Sequence, residues 1–386
     1  MKTSHLNCGA LRSFAAGTLS AAVLSACGGT NGVISATPVS VALPIGARHS
    51  SASLASPRTG AGRNLYVANV SNNTVTVYAQ GRLRRTISNG LWLPTDLAFD
   101  GAGNLYVANA GCPSPDCYPN QKPSTVTVYA PGSERVRRTI TAGLNLPNAL
   151  AFDGAENLYV ASNGGGTVTV YARGSKNVLR TISQGIQSPS ALAFDRRGNL
   201  YVANQGNNGF NTVTVYAPGK TTVMRTISQG IFFPVALALD GSQNLYVVNC
   251  GTCYGSLSGD SVTVYARDSK ILLRTISDVN IPFALAFDDS GDLYVANLGC
   301  PTTRCKKYHA YAHSTVTVYH PGSNTNFRTI RQGLKYPRKL AFNGLGDLFV
   351  INEGYNNVTV YAPGSETVLR TISQGMNVPT ALAFGP

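Results

Sequence analysis

The feature that most constrains this chain is a unit that returns seven times between residue 64 and the C-terminus. Leu-Tyr-Val-Ala-Asn at residues 65–69 comes back with small changes from Leu105, Leu158, Leu200, Leu245, Leu293 and Leu348. A Val-Thr-Val-Tyr element follows, ending at Tyr78, Tyr129, Tyr171, Tyr216, Tyr265, Tyr319 and Tyr361. Arg-Thr-Ile comes next, from Arg85, Arg138, Arg180, Arg225, Arg274, Arg328 and Arg370. A loop then leads to Pro-x-x-Leu-Ala-Phe or a close variant, at Pro94, Pro147, Pro189, Pro234, Pro282, Pro337 and Pro379. Short runs rich in Val, Tyr, Thr and Ile, bounded by Gly, Asn, Asp or Pro, read as strands joined by turns. A single unit cannot bury its own apolar faces, so its neighbours must stack against it. Composition agrees with a large β core: of 386 residues 43% are hydrophobic and only 12% charged, against about 25% charged in an average chain. This excludes a disordered chain, and the shortage of Glu, Lys and Met argues against a helical bundle.

Four strands in a unit of about 42 residues is the period of a propeller blade. The expected fold class is therefore all-β: a seven-bladed β-propeller of four-stranded antiparallel blades over residues 64–386. The chain enters on the Leu65 strand with no Leu-Ala-Phe before it and finishes on Leu382-Ala383-Phe384 with no strand after it. The C-terminal strand should thus complete the N-terminal blade and remove an open sheet edge. The combination Pro-x-x-Leu-Ala-Phe-Asp, Gly-Asn-Leu-Tyr-Val-Ala-Asn and Thr-Val-Thr-Val-Tyr resembles the NHL-type propeller unit and, more loosely, the gluconolactonase-like superfamily. That resemblance implies the fold; members include scaffolds, ligand binders, lactonases and lyases, so it does not fix an activity. One departure is that the Asp usual at the end of the second strand is Asn here, or Ser162-Asn163 in one copy.

Ahead of the repeats, residues 1–26 read as an export signal, with Lys2 and Arg12 in a basic region, an apolar stretch to Leu24, and Leu24-Ser25-Ala26-Cys27 at its end. That tetrapeptide resembles a bacterial lipobox, which implies cleavage before Cys27 and its acylation, so the membrane is an expected partner through a lipid anchor. Gly28, by the same analogy, favours the outer membrane of the cell envelope over the inner. Residues 27–63, rich in Gly, Ser, Ala and Thr, form a flexible tether with a root-mean-square span of roughly 30 to 36 Å. A monomer is expected.

Most repeated polar residues have structural readings. The Asp that follows Leu-Ala-Phe sits in an Asp-x-x-Gly-Asn turn, where its carboxylate accepts from backbone two residues on. The Asn at the end of each Leu-Tyr-Val-Ala-Asn has the same kind of role, since one active site does not need seven equivalents. The net charge of +14 invites a nucleic-acid partner. Setting aside the seven Arg-Thr-Ile arginines leaves 24 basic residues against 17 acidic, and setting aside Lys2 and Arg12 leaves 22. No nucleic-acid partner is expected. A ring of arginines on outermost strands reads first as protection against edge-to-edge pairing and second as a positive rim for anionic lipid.

Function should lie where the copies differ. Insertions at Gly111 to Ser124, Gly251 to Gly259 and Gly299 to Ser314 are each associated with a cysteine pair: Cys112 with Cys117, Cys250 with Cys253, and Cys300 with Cys305. Six cysteines admit 15 connectivities, and local disulfides are the simplest for an exported chain. Cys300, Cys305, His309 and His313 also have loosely zinc-like spacing, and Cys250-x-x-Cys253 is a weak redox candidate; no metal or other cofactor is assigned. Two residues after the proline the sequence has Ala in five units, but Asp96 and Lys339 in the two that flank the closing blade. These form either an ion pair across a channel mouth or, with Arg338 and Glu353, a polar binding cluster. Trp92, Phe232, Phe233 and Tyr336 precede the prolines and suggest contact with a sugar, peptide or protein.

No catalytic residues are assigned. The preferred expectation is a non-enzymatic envelope lipoprotein that presents the insertion-bearing face to a protein or glycan partner. The alternative is a metal-dependent enzyme resembling gluconolactonases or virginiamycin B lyase, with its site at the channel mouth.

Overall fold

The computed structural model describes residues 64–111, 122–206, 211–251, 259–299 and 313–386. The signal peptide, the tether with Cys27, and Cys112, Cys117, Cys253, Cys300, Cys305 and His309 lie outside the described residues. Seven four-stranded sheets make up the body, and every adjacent strand pair is antiparallel. Blade 1 orders β28 (Pro379–Gly385), β1 (Asn64–Asn69), β2 (Thr74–Ala79) and β3 (Arg82–Ile87). Blade 2 orders β4 (Pro94–Phe99), β5 (Leu105–Asn109), β6 (Thr125–Tyr129) and β7 (Val136–Ile140). Blades 3 to 7 repeat this from β8 (Pro147–Phe152), β12 (Pro189–Phe194), β16 (Pro234–Leu239), β20 (Pro282–Phe287) and β24 (Pro337–Phe342). Among the described residues no helix is long and apolar enough to cross a membrane.

The tail closes the ring as the repeat boundaries require. Leu65 pairs with Phe384, Tyr66 with Ala383 and Val67 with Leu382. The Tyr66 hydroxyl donates to the carbonyl of Pro386 at 2.7 Å, across 320 residues of sequence. Phe384 also meets Phe349 of blade 7 edge to face at 4.9 Å between centroids.

Period-two alternation explains where the core sits. Successive strand side chains point to opposite sheet faces, so Tyr66 and Ala68 pack against Leu97, Leu105 and Val107 of blade 2, while Leu65 and Val67 pack against Phe349, Ile351 and Val358 of blade 7. The core is accordingly seven layers between blades rather than one central mass. Tyr106 on Phe152 and Tyr159 on Phe194 repeat the edge-to-face contact between neighbouring blades, both at 5.0 Å.

Each blade is also stapled to the one before it. The third-strand tyrosines are fully buried, and their hydroxyls donate to carbonyls after the preceding blade's outer strand: Tyr78 to Gln374 at 2.6 Å, Tyr216 to Gln184 at 2.6 Å and Tyr319 to Asp278 at 2.8 Å. Burial pushes the Tyr129, Tyr171, Tyr319 and Tyr361 phenols up to about 12.

The Asp turn is realised as expected. Asp100 accepts from the Ala102 amide at 3.1 Å, from the Asn104 amide at 2.8 Å, and from the Asn104 side chain at 2.8 Å. Asn343 and Asp347 make the same turn with the amide and acid exchanged. The ring arginines are not free edge charges. All seven are half-buried, and in four blades the guanidinium reaches across the sheet to donate to the second-strand tyrosine of its own blade: Arg85 to Tyr66 at 2.9 Å, Arg138 to Tyr106 at 3.0 Å, Arg180 to Tyr159 at 2.6 Å and Arg274 to Tyr246 at 2.7 Å; in blade 7 Arg370 lies over the Phe349 ring instead. The sequence places Arg on an outer strand but does not show that its long side chain folds inward over a phenol.

Candidate functional site

Because consecutive strands are antiparallel, the turns between second and third strands share one face with the loops that enter each innermost strand. We call this the upper face. It receives the ends of all three insertions and all four aromatic candidates. The Asp turns and the turns between third and fourth strands occupy the lower face, where residue 64 begins β1.

The upper-face loops are held by a repeated device. The residue before each proline is bulky or polar, yet has positive φ, including 50° at Leu93, 45° at Phe233 and 52° at Tyr336. A residue before proline is barred from the right-handed helical region, and side chains rarely adopt the left-handed one. Hydrogen bonds hold it there: Ala110, Cys250 and Glu353 donate their amides to the carbonyls of Leu93, Phe233 and Tyr336 at 3.0, 3.1 and 3.1 Å. The strand-ending Asn supplies a second clamp. Asn109, Asn249 and Asn352 accept from the amides of Trp92, Phe232 and Lys335 at 3.2, 3.0 and 3.2 Å. Their side-chain NH₂ groups donate to strand carbonyls and to Thr hydroxyls on the third strand, as Asn249 does to Thr263 at 3.0 Å. The Asn set is therefore committed to presenting the loops.

On that scaffold Trp92, Phe232, Phe233 and Tyr336 are all half-buried. Phe232 and Phe233 meet edge to face at 5.1 Å, and the Lys122 ammonium lies 5.9 Å from the Trp92 ring centre. Burial and the nearby Glu353 carboxylate both raise the Tyr336 phenol. The four aromatics are spread over blades 2, 5 and 7, so they ring the face and do not make one cluster.

Closer to the axis, the residue after the proline latches neighbouring blades. Thr380 donates to the Pro94 carbonyl at 3.0 Å, Thr95 to Pro147 at 2.8 Å, Asn148 to Pro189 at 2.9 Å and Ser190 to Pro234 at 2.6 Å. Val235, Phe283 and Arg338 occupy the other three positions. There the Arg338 guanidinium lies 4.6 Å from the centre of the Phe283 ring and pairs with Glu353. Glu353 opens a short 3-10 helix, Glu353–Tyr355. Lys335 lies 5.2 Å from the ring centre of Tyr355, which is 52% exposed. The sequence marks Arg338, Glu353 and Tyr336 as candidates, and the structure brings them together. Phe283, Lys335 and Tyr355 went unmarked, because only the folded loop joins them to that cluster.

Asp96 and Lys339 occupy the innermost ring with five alanines. Their exposures are 0% and 2%, so they lie beneath the upper face and not at an open mouth. Among the described residues no salt bridge joins them, although each feels the other's charge. One Asp96 oxygen accepts from the Leu150 amide at 2.9 Å; the other, like the Lys339 ammonium, has no hydrogen-bond partner among the described residues. Burial raises the Asp96 carboxyl to about 6, against the lowering effect of Lys339 and of the Leu150 and Leu97 amides. Burial likewise lowers the Lys339 ammonium to about 8, against the raising effect of Asp96.

Cys250 is wholly buried at the upper end of blade 5. Among the described residues no three His, Cys, Asp or Glu side chains are placed to hold a metal ion.

No family model matches the chain, and no curated protein matches it. Solved structures do. One is a protein from Bacteroides uniformis proposed to be a 6-phosphogluconolactonase, 14% identical, with a TM-score of 0.62 over 84% of this chain and 99% of that one. A protein from Lactobacillus plantarum is 15% identical, with a TM-score of 0.64 over 84% of this chain and 100% of that one. A protein of unknown function from Desulfotomaculum acetoxidans is 14% identical, with a TM-score of 0.63 over 84% and 99%. At these identities the likeness carries the architecture alone: the chain is a seven-bladed β-propeller.

Proposed function

We propose that this protein is a lipid-anchored, non-enzymatic binding module of the cell envelope that holds a protein or glycan partner on its upper face. The observation that supports this most is the segregation of irregular residues. The repeated Asp, Asn, Arg and Tyr side chains are engaged in turns, clamps and staples, while the departures Trp92, Phe232, Phe233, Tyr336, Arg338 and Glu353 stand on one face. Half-buried aromatics on clamped loops offer stacking area at little entropic cost on binding. Local disulfides Cys112–Cys117, Cys250–Cys253 and Cys300–Cys305 would stiffen the three insertions, each by an amount on the order of 2 kcal/mol in the loop-entropy model. Acylated Cys27 would hold the module at the membrane, and the outer membrane is the favoured location.

The enzyme alternative draws on the displaced titrations of Asp96 and Lys339, since such shifts often mark catalytic groups. Their burial weighs against it, because a substrate needs access to the groups that act on it. The test is site-specific photo-crosslinking in intact envelopes. A crosslinker at position 92, 232 or 336 should give discrete adducts, one on the outer strand at Thr181 should give none, and deletion of residues 300–312 should weaken the adducts. Equal labelling from Thr181, or no adduct from any upper-face position, would overturn the reading.

A further inference from the structure

The outer wall of the ring is not uniform. On each outermost strand, alternate residues point away from the sheet, as the exposed and half-buried alternation of β3 shows. The outward residue just before the ring arginine is Leu179, Met224, Leu273, Phe327 and Leu369 in blades 3 to 7, all 43–56% exposed. In blades 1 and 2 the same position is Arg84 and Arg137, and the next outward position adds Arg82 and Arg135. These four are exposed, and among the described residues none makes a salt bridge, although Arg137 donates to the Asn104 side-chain oxygen at 2.9 Å. Since five blades fold with apolar residues there, the propeller does not need the arginines.

Their position coincides with a second feature. Residue 64 begins β1 at the lower face of blade 1, so the preceding chain joins the body in the blade that carries Arg82 and Arg84. Arg82 directly follows the two-residue turn Gln80-Gly81 on that lower face, where both residues have positive φ, 52° and 81°. Arg135 follows the corresponding turn of blade 2. The arginine sector thus flanks the junction with the expected tether and lies away from the upper face.

We infer that the outer wall of blades 1 and 2 is a contact surface for an anionic phospholipid bilayer, with Arg82, Arg84, Arg135 and Arg137 facing headgroup phosphates. The inference relies on the anchored reading only for the presence of a membrane. Seating this wall on the bilayer turns the propeller edge-on and leaves the upper face open to a partner. The ring arginines, half-buried over the second-strand aromatics, take no part, which replaces a seven-fold positive rim with a local patch. Guanidinium groups suit phosphate because their planar donors match its oxygens.

The test uses the full-length chain with Cys27→Ser, so that no acyl chain contributes, and phosphatidylcholine vesicles with and without phosphatidylglycerol. The protein should sediment with the anionic vesicles only, and added salt should release it. Replacing the four arginines by residues found in other blades, as R82T/R84L/R135T/R137L, should weaken partitioning at least about tenfold. R180M, in the tyrosine-bound ring, and K176A/K220A/K270A, a comparable charge loss elsewhere, should each change it less than about twofold. Equal sedimentation with both vesicles, retained binding by the quadruple variant, or an equal loss in the lysine variant would overturn the inference. So would binding to soluble dextran sulfate without binding to vesicles. Failure of the anchor reads out separately, as no incorporation of labelled palmitate into the chain with Cys27 intact.

Discussion

At the level of single residues, Asp96 and Lys339 show why a buried charge pair is weak evidence for stability. Removing one partner of such a pair typically costs about 3–5 kcal/mol, because the other is left uncompensated, whereas replacing both by apolar groups is often neutral or better. Asp96→Ala and Lys339→Met should each lower stability at neutral pH by about 3 kcal/mol, and the double variant should recover most of it, as urea unfolding would measure. The pH profile follows from the direction of each shift. An acid raised from 3.8 to about 6 binds its proton more tightly in the folded state, so its contribution is lost as pH rises through that window. A lysine lowered from 10.5 to about 8 releases its proton more readily when folded, so stability returns as pH rises from about 8 toward 10.5. The pair should therefore produce a shallow stability minimum between about 6 and 8, absent from the double variant. Both residues stood out in the sequence, as departures from five alanines. Their burial did not, because it depends on how tightly seven blades close around the axis. The Asp turn was legible residue by residue, as its bonds are local. The reach of Arg85 to Tyr66 was not, since it crosses the intervening strand of the sheet.

At the level of strands and loops, the repeat made almost every element legible. Leu-Tyr-Val-Ala-Asn and Thr-Val-Thr-Val-Tyr are short runs rich in Val, Tyr and Thr, and turn residues punctuate them. Less legible were the bonds between units, because one unit's sequence does not show which neighbouring atom it meets. The tyrosine staple is the main case. Tyr216→Phe should cost about 1–3 kcal/mol, because it orphans the Gln184 carbonyl, and the loss is measurable by chemical unfolding. The Phe283 and Arg338 stack was unreadable for the same reason: its residues belong to different blades and replace the latch that Thr95 or Ser190 provides elsewhere. Removing residues 379–386 tests closure more severely. That truncation takes β28 from blade 1, exposes the edge of β1 and uncovers Phe349, so the soluble folded fraction should fall close to zero. A truncated chain that keeps the parent's thermal midpoint would contradict the pairing of β28 with β1.

At the level of the whole molecule, the repetition that makes the fold legible also hides the function. Seven equivalent positions average out any single site, so only departures carry information, and the most pronounced of these fall in insertions outside the described residues. Two polarities nevertheless emerge. Irregular aromatic and charged residues lie on the upper face, and exposed arginines lie on one sector of the outer wall beside the N-terminal junction. Both assignments depend on the order and closure of the blades, since a different ring would move every candidate. The most direct check is native-state amide hydrogen exchange across β1 and β28. The account predicts that the Tyr66 and Ala383 amides, which face each other across β1 and β28, are as protected as those of the corresponding pairs in the other blades, and open only with global unfolding. Exchange of β28 at the rate of a free tail, with the other inner strands still protected, would contradict it.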